Sequence, residues 1–557
     1  MARWLCIAAF VTTALACGET ADQRPPDGRD PSAGTGSGGN GGGAANGGAG
    51  NSGPLPTETC GTSKVGSPML RRLTSFELTR SLDAIFPEVK GRWTSALSGD
   101  SVSHHGFDNE AAGLLVSKQT AAEIAETAQG LATAVTGDAL PQILPCAGTV
   151  WTRACAGEFL GKHGKRLFRR PLTDAESGRY LDFYEAAVAK TDSRRGLAWM
   201  IRALVESPHF IYRREIGVTG AGGRQLSQHE IATELAYTYT GTTPSDALLA
   251  QADRNELTTA EQLQTVAKTL LASSGHDVVD RFFTLWLGYG RVTSLTKANV
   301  PDFAARSPHM AEETRRFIQE VVFARSGGVR ELLTANFTTP TPELSTFYGF
   351  PAPASAYAVV ARPPERGIGV LAQGSVLATR AQPTGSSPTQ RGVLVYERLL
   401  CREKPIVPAN VPILPAPQPG QLTTRQRYEQ QHASVQPCKG CHQAFDPIGF
   451  GFEWFDSAGR WRANDDGLPI DSASHVPSKA STEPLFTFTT QEELATGLAN
   501  AQEVHACVSG YVTTYAFGAP EACLGESRRV EFMTGSIGFL DYLASLAAEP
   551  HFTRRAQ

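Results

Sequence analysis

Residues 438–450 read CKGCHQAFDPIGF, and their first five, Cys438-Lys439-Gly440-Cys441-His442, decide how the rest of the chain is read. The spacing C-x-x-C-H is that of c-type haem attachment. Two thiols one helical turn apart add to the two vinyl groups of haem, and the adjacent imidazole then lies under the ring and ligates iron. Three other readings compete. A thioredoxin-like redox pair wants a strand–helix setting, and none is evident. A zinc site wants a second pair of ligands at zinc spacing, and there is none. A disulfide across the motif leaves His442 without a role. Haem c, bound covalently by Cys438 and Cys441 with His442 on iron, is the expected cofactor.

The flanks of the motif suit a haem pocket. Phe445, Ile448, Phe450, Phe452, Trp454 and Phe455 supply apolar bulk. Gly449 and Gly451 allow close backbone approach, and Pro447 is expected to end the helix and turn the chain under the ring. Arg460 and Arg462 are candidate partners for the haem propionates, a solvated face being the alternative. The opposite iron ligand is the open question. The next methionine is Met533, ninety-one residues after His442. His432, six residues before Cys438, is nearer and is our candidate second ligand, with His475 a further possibility. An open iron position favours catalysis, a closed one electron transfer.

Upstream, residues 405–419 hold six prolines, an extended polyproline-type connector into the motif. Most of the body before it reads as helix. Four openings repeat a capping box, a hydroxyl with Glu three residues on: Thr74/Glu77, Thr173/Glu176, Ser227/Glu230 and Thr258/Glu261. Thr490/Glu493 makes a fifth. Leu73 and Leu226 are placed to staple onto Leu78 and Ile231. Residues 277–287 end in Phe282, Phe283, Leu285, Trp286 and Leu287, a core set. Residues 199–213 and 540–554 are self-similar, each an apolar helix ending in Pro-His-Phe. His209 and His551 there are expected to finish helices as cations facing the dipole. His104-His105 falls in a polar loop, and His309 at the N-terminal edge of a helix running through Phe317 and Val321.

The whole chain has 557 residues, 41% hydrophobic and 19% charged, with a formal net charge of −4. That composition folds, in several domains, and gives no basic face for nucleic acid. Residues 1–17, MARWLCIAAFVTTALAC, carry Arg3 and then an apolar run too short to span a bilayer but of signal-peptide length. Small residues before Cys17 read as a lipoprotein cleavage box, with Cys17 the lipid anchor. Ordinary cleavage near Ala16 is the alternative, and both export the chain. Residues 34–53 hold eleven glycines and no apolar side chain larger than Ala, a flexible tether. Gly34-Thr35-Gly36-Ser37-Gly38-Gly39 fits a dinucleotide-binding pattern only by composition. Six cysteines remain for disulfides. Cys146–Cys155 and Cys507–Cys523 are favoured as short local loops, which leaves Cys60–Cys401.

Read together, these stretches resemble the planctomycete-type surface cytochrome c family, exported proteins of several modules of unknown function. Arg71-Arg72-Leu73-Thr74 with Glu77 resembles the opening module, and Arg169-Arg170-Pro171-Leu172-Thr173 the second. Ser207-Pro208-His209-Phe210, Leu226-Ser227 and residues 282–288 resemble the third. Residues 366–392 with Cys438 to His442 and Asp446-Pro447-Ile448-Gly449-Phe450 resemble the cytochrome module, and Tyr515-Ala516-Phe517-Gly518 the last. The resemblance implies an exported haem protein and no particular reaction.

The expected fold is mainly α, a multidomain helical body with an embedded cytochrome c-like haem module. Its expected parts are a signal peptide (1–17), tether (18–66), N-terminal helical modules (67–215), a central helical module (222–350), the cytochrome-like module (360–475) and a C-terminal helical module (485–557). The expected function is electron transfer at the outer membrane or cell surface, or in the periplasm. Its partner is an unidentified redox protein or small molecule. Alternatives are a haem enzyme of peroxidase or oxygenase type and a non-haem scaffold. The chain holds no G-x-S-x-G, H-E-x-x-H or P-loop to suggest other chemistry.

Overall fold

The structure, a computed structural model, describes residues 64–146, 152–220, 222–298, 300–405, 421–431, 433–434, 438–520 and 524–557. The leader with Cys17, the tether, Cys60, nearly all of the proline-rich connector, His432 and Cys523 lie outside the described residues.

The body is mainly helical, as expected. Its longer helices are α1 (Ser75–Ile85), α2 (Lys118–Val135), α3 (Asp174–Val188), α4 (Ser193–Val205), α5 (Gln228–Thr240) and α6 (Ala260–Ser274). They continue with α7 (His276–Leu287), α8 (Phe303–Gln319), α9 (Pro388–Arg398), α10 (Cys438–Phe450), α11 (Gln491–Asn500) and α12 (Gln502–Phe517). No helix among the described residues is long and apolar enough to cross a membrane.

Three of the capping boxes form as read. At α1, Thr74 Oγ1 accepts the Glu77 N–H at 3.0 Å and Glu77 Oε2 accepts the Thr74 N–H at 2.9 Å. Thr173/Glu176 and Ser227/Glu230 repeat this at α3 and α5. Two differ. At α6 the box is shifted by one residue, to Thr259 and Gln262, because the helix starts at Ala260. At α11 Thr490 caps, but Glu493 reaches back to the N–H and hydroxyl of Thr489 instead of closing the box. Helix α8 begins at Phe303, earlier than expected, so His309 lies inside it. Pro308 is tolerated within its second turn, where the Ser307 hydroxyl donates to the Ala304 carbonyl.

Small antiparallel ladders tie the helices. Strand β1 (Met69–Arg72) pairs with β2 (Tyr212–Glu215). Strands β3 (Val218–Gly220) and β4 (Gly223–Gln225) form a hairpin extended further along the chain by a two-residue strand. Strand β5 (Ser474–Val476) pairs with β6 (Phe486–Phe488), and the strand that joins the hairpin is β7 (Arg554–Arg555). One core cluster gathers Ile231, Phe282, Phe283, Trp286, Val395, Ile448 and Val512; a second gathers Leu73, Leu78, Phe86, Leu131, Met200 and Phe210. Each staple leucine thus shares a core with its intended partner.

The register of β1 and β2 sets Arg71 opposite Arg213, like charges facing each other in the interior. Carboxylates balance them. Arg71 and Arg555 both bind Glu215 at 2.9 Å, and Arg213 binds Glu234 at 2.9 Å and Glu77 at 3.3 Å. Burial, with the nearby Glu215 charge, pushes the Glu234 carboxyl up from the usual carboxylate range, against the pull of Arg213. Burial acts on Glu215 too, but the Arg71, Arg213 and Arg555 guanidiniums outweigh it and hold that acid well below the carboxylate range. A buried network of this kind is costly to break once formed, because any one deletion strands a charge.

His551 departs from its expected role. It is 1% exposed, its Nδ1 accepts the Gly66 N–H at 2.9 Å, and burial drives its pKa well below that of a free imidazole. A neutral ring has no charge to offer a helix dipole. Disulfides also differ from expectation: Cys146–Cys155 forms, but Cys507 pairs with Cys401, 106 residues away. Cys507 sits inside α12 facing the end of α9, so the long-range partner is the one within reach.

Candidate functional site

Helix α10 starts at Cys438 and carries the whole C-x-x-C-H motif in its first turns. Cys438 is buried, Cys441 is half-buried, and both are free thiols, three residues apart on one helix face. The disulfide reading of this pair is therefore not what the structure contains. The helix also runs through Pro447 to Phe450, against the expectation that Pro447 ends it.

His442 is held from within the same helix. Its Nδ1 lies 2.7 Å from Asp446 Oδ2, an i,i+4 pair. A carboxylate can only accept, so Nδ1 donates and the ring's lone pair resides on Nε2. Asp446 is 1% exposed, and its other oxygen accepts from the Thr389 hydroxyl of α9 at 2.7 Å. Carboxylate-backed histidines of this sort are more basic ligands with a fixed ring plane. The i,i+4 spacing of His442 and Asp446 was readable in sequence. Thr389 was not, since it comes from a separate helix 53 residues upstream, and its 3.4 Å approach to His442 Nδ1 depends on packing.

That packing is unusually close. A Cβ on Gly392 of α9 would lie 1.9 Å from the Phe445 carbonyl, and one on Gly449 of α10 would lie 1.9 Å from the Pro388 carbonyl. The two helices touch backbone to backbone, so Gly449 serves a helix contact and not the approach of a ring. Gly451 instead makes room for the side chains of Leu494 and Phe488. Buried Arg391 then closes the C-terminal end of α10, donating to the carbonyls of Phe452, Phe455 and Asp456 at 2.9, 2.8 and 2.6 Å. Burial pushes its pKa down to about 10. Of the aromatic flank, Phe452 and Phe455 pack with Ile448 in the main core.

The remaining sequence candidates are dispersed. Arg460 binds Asp456 at 2.7 Å and stacks over Phe347. Arg462 binds Glu453 at 2.9 Å and also pairs with Asp465. His475 lies on β5, which packs against α10. Met533 ends a helix, Glu526–Met533, that packs on α12. Of His442 and His432, only His442 is among the described residues. Among the described residues no group of three or more His, Cys, Asp or Glu is placed to hold a metal ion. Haem brings four ring nitrogens of its own, so two thiols and one oriented imidazole are a donor set that suits it.

No curated protein and no solved structure matches the chain. Four family models do, each described as a protein of unknown function: PSD3 (DUF1587) over residues 71–137, PSD5 (DUF1595) over 155–215, PSD4 (DUF1592) over 226–350 and PSCyt3 (DUF1588) over 367–465. Ser207 to Phe210 fall within the second match, not the third. The last match contains Thr389, the thiol pair, His442 and Asp446. In this order the four modules are consistent with the planctomycete-type multi-module cytochrome c family, to whose parts this chain is similar along most of its body.

Proposed function

We propose that the protein is an exported c-type cytochrome with one haem attached through Cys438 and Cys441, acting in electron transfer. Lipid on Cys17 would hold it at the outer membrane or cell surface; without that anchor it would work in the periplasm. The observation that carries the reading is the free thiol pair followed by an imidazole whose Nδ1 is held by Asp446. Haem, once bound, supplies a one-electron iron couple. His442 would present its ring to the iron, Asp446 would raise the basicity of that ring, and Thr389 keeps Asp446 in place. The electron partner is a redox protein or a small molecule.

A second reading, a ligand-binding haem enzyme, is favoured by the same Asp446 contact, since a more basic imidazole would push electron density toward iron. Carbon monoxide binding to the reduced protein separates the two. Fast, complete binding at neutral pH marks the enzyme reading, and slow or absent binding marks the carrier.

The test of haem itself is a pyridine haemochrome assay on protein expressed with cytochrome c maturation machinery. One covalent haem per chain is expected, with the normal spectrum lost in His442→Ala. Wild-type protein without covalent haem removes both readings and leaves a scaffold.

A further inference from the structure

A cleft of 410 Å³ opens between β1, β2, the short helix Pro208–Ile211 and the start of α5. Three stretches singled out in the sequence meet there, through Arg169-Arg170, Pro208-His209 and Ser227. None of them touches the His442 site, so the proposed haem chemistry leaves them without a role. The walls are apolar, with Leu70, Phe168, Ile216 and Val218 among them. Leu70 is 57% and Val218 69% exposed, so the apolar lining continues to the surface.

Charge in the cleft does not balance. Arg170 is spent on Glu176, which it grips with two hydrogen bonds of 2.8 Å. Glu230 accepts the N–H groups of Ile216, Gly217 and Ser227 and lies 3.4 Å from Arg214. Arg169 is different. Only 3% exposed, it donates to the carbonyls of His209, Phe210 and Tyr212 and to the Tyr237 hydroxyl, and it forms no ion pair among the described residues. A buried cation with only neutral acceptors is an incomplete arrangement. Its backbone has φ of 57°, a left-handed conformation unfavourable for an arginine, which persists where the surroundings impose it. The His209 ring packs against Phe168, tilted to it, at 4.9 Å beside Arg169.

We propose that this cleft binds a small organic carboxylate with an apolar body. The body lies against Leu70, Phe168, Ile216 and Val218, and the carboxylate meets the positive end formed by Arg169 and Arg214, with the His209 ring beside them. An apolar pocket with a few convergent polar groups is what small-ligand sites generally are. The site is independent of haem.

Isothermal titration of the full chain with octanoate, 1-octanol and octylammonium tests it. Octanoate should bind saturably, with the alcohol weaker by roughly tenfold, the equivalent of one charge-assisted hydrogen bond, and the ammonium weaker still. Arg214→Gln alters a side chain 61% exposed, so folding is spared. It should weaken octanoate by roughly tenfold. Val218→Trp, at the mouth, should block it, with circular dichroism showing both variants folded. Equal binding of octanoate and 1-octanol overturns the proposal, as does the absence of saturable octanoate binding. Binding only to vesicles of anionic lipid overturns it too.

Discussion

Replacing Asp446 by Asn keeps the side chain's shape and removes the charge that faces His442 Nδ1 at 2.7 Å. In the haem-loaded protein this should raise the reduction potential by roughly 60 mV, the one-electron equivalent of about 1.4 kcal/mol. A redox titration with an unchanged midpoint would show that the contact is not felt at iron. A second residue reports through stability. His163 is 1% exposed, stacks on Phe86 at 5.0 Å and meets a tilted Phe159 ring at 4.8 Å. Burial, helped by the nearby Lys162 charge, pushes its pKa down to about 4. Between that value and the ordinary imidazole range the unfolded chain holds the extra proton. The stability this neutral histidine contributes is therefore complete above about pH 6.5 and lost as pH falls toward 4, on the order of 3 kcal/mol in all. Urea unfolding at pH 7 and pH 5 should show the loss, and His163→Phe should reduce it. At this scale the sequence was only partly readable. His442 stood out because its neighbours are cysteines. The burial of His551 and His163 depends on which distant rings cover them.

Elements were easier to foresee than their contacts. A capping box is a local bargain between residues three apart, so Thr74, Thr173 and Ser227 could be placed from sequence alone. Thr258 and Thr259 offered two adjacent caps, and the choice between them fell to the packing of α6. Pro447 was misjudged because a proline's cost to a helix is local, while α10 is held along its length by α9 and at its end by Arg391. The glycines between those helices make the dependence measurable. Gly392→Ala puts a methyl 1.9 Å from the Phe445 carbonyl and should destabilise the protein by about 1–3 kcal/mol in chemical denaturation. Gly440→Ala lies in the same motif region but faces open space, and should be neutral or gain up to about 1 kcal/mol. If both variants lose stability equally, close helix contact is not the reason.

Across the whole molecule, long-range ties were the least legible part, because nothing local to either end announces them. The Cys401–Cys507 bridge closes a loop of 106 residues around the thiol motif. Cys401→Ser with Cys507→Ser should cost about 2–4 kcal/mol, read as a lower denaturation midpoint that reductant no longer changes. An unchanged midpoint would mean the loop is already constrained by other contacts. The ionic core is a tie of longer reach still. Glu215 stands 144 residues from Arg71 and 340 from Arg555, and it binds both. A ribosome therefore delivers the acid and its first partner long before the second. Until Arg555 is made, Glu215 lacks one of its guanidinium partners, so the buried ionic centre of the fold is completed only by a residue synthesised 340 positions after the acid itself.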